Sequence, residues 1–117
     1  MGYEVHHAIV VSFWDIKILQ ATRRKAKELF KGTPVYVTPI TPSANNMLRS
    51  YLVAPDGSKL GWDDSVKSAK ARESFADYLK TYEPYPPDWA LIQYGDDGGD
   101  DFMVDSNHIN YNGKYPE

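Results

Sequence analysis

The stretch "YEVHHAIVVSFWDIKILQATRRKAKELFKGTP", residues 3–34, decides the architecture, because its hydrophobic period changes part of the way along. Tyr3 to Phe13 is rich in β-branched and aromatic residues, with Val5, Ile9 and Val11 on one face and Ala8 and Val10 on the other, which predicts a strand buried within a sheet. From Asp15, a short acidic side chain suited to an N-cap, Leu19, Thr22, Ala26, Leu29 and Phe30 recur at helical spacing. "KGTP" then supplies the glycine and proline that stop the helix.

The rest of the chain continues this alternation. "TPVYVTPITP" alternates but holds Pro34, Pro39 and Pro42, each lacking a ladder N–H, and so reads as an edge strand or an extended segment with bends. Met47 to Ala54 alternates again before "PDGS" reverses the chain. Asp63 or Asp64 can cap a second helix whose stripe is Ser68, Ala71, Arg72, Phe75, Tyr78, Leu79 and Tyr82. "WALIQY" and Phe102 to Val104 form the arms of a last hairpin around "GDDGGDD". The expected class is α+β: a mostly antiparallel sheet of four to five strands, in the order β-α-β-β-α-β-β, with two helices on one face. Residues 1–117 suffice for a single domain with one core, and no repeat or linker divides them.

Composition removes several function classes. Without cysteine there is no disulfide framework, thiolate metal site or cysteine nucleophile. The N-terminus lacks a signal-peptide pattern, no run reaches the roughly 20 apolar residues of a membrane span, and a cytoplasmic protein away from membranes is expected. A net charge of −3 argues against coating a nucleic-acid polymer. The charge is divided, however: Lys17, Arg23, Arg24, Lys25, Lys27 and Lys31 crowd one segment, and no lysine or arginine lies between Lys80 and Lys114. Such a chain can bind an anion at its basic end or pair opposite faces between subunits.

No catalytic motif accompanies this pattern. His6 and His7 are adjacent on a strand and point to opposite faces, so they cannot converge on one ion or phosphate, and "HHA" and "HIN" at His108 are not the His-x-Ser/Thr repeats of two-histidine phosphodiesterases. Asp96, Asp97, Asp100 and Asp101 fit no standard calcium loop and read as a hairpin tip. Neither catalytic residues nor a metal or cofactor is expected. The residues that remain suit binding. Arg24, Arg49 and Lys59 can hold phosphates, Asn45 and Asn46 can read base or ribose edges, and Trp62, Phe75, Tyr82 and Tyr85 offer rings for stacking. Phe75 also lies on the apolar stripe of the second helix, and Trp62 can equally fix the start of that helix.

"HHAIVVSFWD" at 6–15, "RSYLVAPDGSKLGW" at 49–62 and "WALIQYGDD" at 89–97, in this order and spacing, resemble the Thoeris anti-defence family of phage-encoded nucleotide sponges. The resemblance implies sequestration, without cleavage, of cyclic ADP-ribose isomers made by TIR-domain defence enzymes, in the cytoplasm of an infected bacterium. Some members also hold cyclic oligonucleotides in a symmetric assembly. It further implies a homo-oligomer with Asn46 and Arg49 facing a pocket shared between protomers, and Arg24, Arg49 and Phe75 are the best positional matches. The chain departs from the family pattern at "YEPYPPDW", where a glycine-serine loop is expected, and in its tail, where a basic residue is expected. Two other classes fit the residues: a protein-protein inhibitor of a host defence factor, and a phosphodiesterase acting through His6, His7 or His108.

Overall fold

β1 (His6–Phe13) is the strand expected from the first stretch, and it lies inside the sheet. β2 (Arg49–Val53) pairs with one side of it and β3 (Asp88–Tyr94) with the other, both antiparallel. β4 (Phe102–Ser106) pairs with β3 and gives the order β2-β1-β3-β4. The structure is a computed structural model, which describes residues 5–59, 61–95 and 102–107. The acidic turn with Asp96, Asp97, Asp100 and Asp101, and the tail with His108, lie outside the described residues.

Register explains the core. Ile9 stands opposite Val53 and Leu91, and Val11 opposite Tyr51 and Trp89, so three strands present apolar side chains on the same face. Onto that face α1 (Ile16–Leu29) brings Leu19 and Ala26, with Phe30 just beyond its end, and α2 (Asp63–Lys80) brings Ala71, Phe75, Ala76 and Leu79. The α+β class, with both helices on one face of an antiparallel sheet, is the observed architecture. One polar chain crosses this core: the buried Tyr51 hydroxyl donates to Thr22 Oγ1 at 2.8 Å, and Thr22 donates to the Leu19 carbonyl at 3.0 Å. Both of these buried hydroxyls therefore have a partner, as burial demands.

Both helices begin near the expected places. The Asp15 carboxylate accepts from the Lys17 and Ile18 amides at 3.0 and 3.4 Å, so the predicted cap of α1 is present. The cap position of α2 is Trp62, not Asp63 or Asp64, and its side chain makes no capping bond. The two aspartates occupy the first turn instead, where their charge opposes the positive end of the helix dipole.

The proline-rich segment is extended with bends, and it joins the sheet through a single bridge, Val37 to Val53. Residues 36–44 nevertheless run antiparallel beside β2. Thr38 donates its N–H to the Leu52 carbonyl and accepts the Leu52 N–H on its hydroxyl; Thr41 does the same with Ser50. Each threonine hydroxyl does the work of a ladder carbonyl. The Thr38 carbonyl thus freed accepts from Arg23 Nε at 2.7 Å, which ties the segment to α1. Counting this segment as an outer strand, the connection up to β3 is the split βαβ arrangement, and β4 adds one strand at the far edge.

Candidate ligand-binding site

The most distinctive surface gathers around the turn that ends α1. Phe30 is its C-cap, and the Phe30 carbonyl accepts from both the amide and the hydroxyl of Thr33, at 3.0 and 2.7 Å. Thr33 Oγ1 in turn accepts from the Val35 amide at 3.2 Å. Between them Gly32 sits at φ +85°, a left-handed conformation that glycine adopts without the Cβ clash other residues meet. Phe30 anchors the turn from below, edge-on to Phe75 at 6.3 Å between ring centres. Lys31 is therefore carried on a tightly bonded loop, not on a loose one.

An open hollow lies on each side of this turn. The one between α1 and α2, about 310 Å³, is lined by Lys31, Thr33, Lys67, Lys70 and Ser74 among others. The one between α1 and the extended segment, about 340 Å³, is lined by Arg23, Lys27, Lys31, Val35 and Tyr36 among others. Lys31, Gly32 and Thr33 belong to both. No carboxylate is among the described residues that line either hollow. The nearest in sequence are Glu28, which lies between Lys27 and Leu29 and pairs with Lys25, and Glu73, beside Ser74, which lines the crevice on the other side of α2. Among the described residues, Lys27, Lys31, Lys67 and Lys70 make no ion pair, whereas Lys25 pairs with Glu28. Tyr36 is 62 % exposed, so its ring face is available to a ligand.

The opposite side of α2 is built differently. A crevice of about 300 Å³ between α2 and the C-terminal half of the sheet holds His7, Arg72, Lys80, Leu91 and Asp105 among others. Arg72 Nη1 lies 3.2 Å from Asp56 Oδ1, and both side chains are buried, 8 % and 7 % exposed. Burial alone would raise Asp56, but hydrogen bonding from Ser58 and the Arg72 charge outweigh it and hold the carboxyl below its ordinary range. Lys80 meets Asp105 at 2.6 Å and bridges α2 to β4. His7 Nε2 lies 3.1 Å from Gln93 Oε1, and burial, aided by Arg72, lowers its pKa from the ordinary 6.5, so the ring is neutral at pH 7. His6 stands on the other face of the sheet, its ring 5.3 Å from that of Tyr94. The two histidines do not converge.

The residues singled out in the sequence fall in several places. Asn45, Asn46 and Arg49 come together at the turn leading into β2, where Asn46 has φ 58°, and Arg49 pairs across to Phe13. Lys59 and Trp62 follow the other end of β2, and Trp62 is 55 % exposed. Arg24 acts on Tyr78, and Tyr82 packs edge-on against the same ring at 5.7 Å, so these two share a neighbourhood. Tyr85 is exposed in the proline-rich loop before β3. Phe75 is fully buried between the helices and presents no surface to a ligand; its place on the apolar stripe decides its role.

Lys67, Lys70 and Tyr36 were not among the residues chosen from sequence. A signal existed for the lysines, since Lys67, Lys70 and Ser74 recur at the spacing of one helix face. No family model, curated protein or solved structure matches this chain.

Proposed function

We propose that this protein binds a small phosphorylated nucleotide and holds it intact, as a sponge for a cyclic ADP-ribose-type immune signal. The observation that carries the binding half of this reading is a set of lysines around a tightly bonded turn that have no ion-pair partner among the described residues, in hollows that no described carboxylate lines, beside an exposed tyrosine. Ammonium groups attract phosphate oxygens, and a tyrosine face stacks on a base. The sequestering half, with its setting in an infected bacterium, rests on the resemblance to the Thoeris anti-defence family. Because the hollows are open, a second copy of the chain is expected to cover the ligand and bury most of its surface.

The test is to incubate the purified protein with cyclic ADP-ribose isomers and cyclic oligonucleotides, remove free ligand, denature the protein and identify what is released by mass spectrometry. Intact ligand at a fixed ratio to protein supports the sponge. Altered ligand turns the reading to a phosphodiesterase, and no ligand turns it to an inhibitor that acts on a host protein. Native mass spectrometry of the loaded protein tests the shared site: a loaded species that is only monomeric contradicts it.

A further inference from the structure

The two hollows differ in what they can recognise, and the turn between them joins rather than separates them. The α1–α2 hollow offers Lys31, Lys67 and Lys70 with the Ser74 hydroxyl, a lining of cations and a donor suited to phosphate oxygens, while the Thr33 hydroxyl is committed to the turn. The hollow against the extended segment has the exposed ring of Tyr36 in its lining, together with Val35 and Phe30. Its guanidinium, Arg23, is held by the Thr38 and Val37 carbonyls. A Cβ built on Gly32 meets nothing within 4 Å beyond its chain neighbours, so the space beside its Cα is open.

Resting on the nucleotide-binding reading above, we infer that one nucleotide lies across Gly32, its phosphates among Lys31, Lys67 and Lys70 and its base on Tyr36. The division follows from chemistry. Phosphate seeks compact positive charge and donors, which the first hollow supplies in excess, while an uncharged base gains most from a flat ring in partly apolar surroundings, which only the second supplies. Lys27 also lines the second hollow, one helical turn before Lys31, and adds a further cation there.

Calorimetric titrations with inorganic pyrophosphate and with ADP separate the two halves. Replacing Lys67 and Lys70 together (Lys67→Gln, Lys70→Gln) is expected to weaken both probes about tenfold or more, whereas Tyr36→Ala weakens ADP about tenfold and leaves pyrophosphate within about twofold. Tyr36→Phe keeps the ring and retains ADP binding. An equal loss of both probes in Tyr36→Ala, or no loss of ADP, overturns the division while leaving nucleotide binding intact. Lysine variants that bind both probes as the unaltered protein does, or an unaltered protein that binds neither, overturn the lysine site itself. All three variants lie at the surface, and matching circular dichroism spectra and Tm values show that the fold survives them.

Discussion

The two sides of α2 carry similar numbers of cations and treat them in opposite ways. Toward β3 and β4, Arg72 has Asp56 and Lys80 has Asp105. Toward α1, Lys67 and Lys70 face Lys31 with no ion-pair partner among the described residues. A cation with a fixed carboxylate is part of the scaffold, because its field is already answered. One without such a partner keeps its field for something else, and on the proposed reading the four around one bonded turn serve an anion. Stability and ligand affinity should therefore depend on different sides of one helix.

The largest effect belongs to the buried pair. Asp56→Ala leaves the Arg72 guanidinium enclosed without its counter-ion and removes the acceptor for Ser58, and it should cost about 3 kcal/mol or more of folding stability. Urea denaturation measures it. A loss below about 1 kcal/mol would mean that water reaches Arg72 easily, and the contrast between the two sides would weaken.

Next comes pH. The folded pKa of His7 is lowered, first by burial and then by Arg72, with Gln93 and Asp56 acting the other way. The unfolded chain then binds the proton more readily, so stability is complete above 6.5 and falls as pH drops below it toward the lowered folded value. Tm should decline from neutral pH to about pH 5 in the unaltered protein, and less in His7→Gln. Asp56 is also lowered from its ordinary value, so its contribution is lost in a separate window, as pH falls below 3.8. An equal decline in both proteins would assign the pH dependence to other groups.

Much of this was legible in the chain and some was not, for physical reasons. The change of period at Asp15 identified β1, its cap and α1, because capping and burial are local. The proline-rich segment resisted assignment between strand and bend, because the outcome depends on the Thr38 and Thr41 hydroxyls replacing carbonyls in the ladder. Arg72 read as part of the stripe of the second helix and Asp56 only as a turn residue, and their pairing was not legible because a pair 16 residues apart is fixed by packing. Crowded charge in α1 suited either an anion or a contact between subunits. That Lys67 and Lys70 share a hollow with Lys31 follows from how α1 and α2 pack, which no single segment records.

Lys80→Ala sharpens the comparison from the weaker pair. The bridge to Asp105 is short, but the Lys80 side chain is 48 % exposed, so solvent screens the pair and its loss should cost about 0.5 kcal/mol. A double-mutant cycle with Asp105→Ala isolates that coupling. A coupling near 3 kcal/mol would place Lys80 with Arg72 as a fixed part of the scaffold.

The smallest change in stability is expected where the change in affinity is large. Lys67→Gln with Lys70→Gln leaves helix propensity nearly unaltered, because the two residue types rank together. Removing these charges forgoes weak attraction from Asp63 and Glu73, one turn away, and relieves repulsion from Lys31; the balance should stay within about 0.5 kcal/mol. Pyrophosphate binding should fall sharply in the same protein, and in the unaltered one it should weaken with added salt as screening shortens the reach of the lysines to about 8 Å at physiological ionic strength. If the double variant instead lost stability as Asp56→Ala does, the lysines would belong to the scaffold after all. Separation of the two readouts is what distinguishes charge kept for a ligand from charge used to hold the fold.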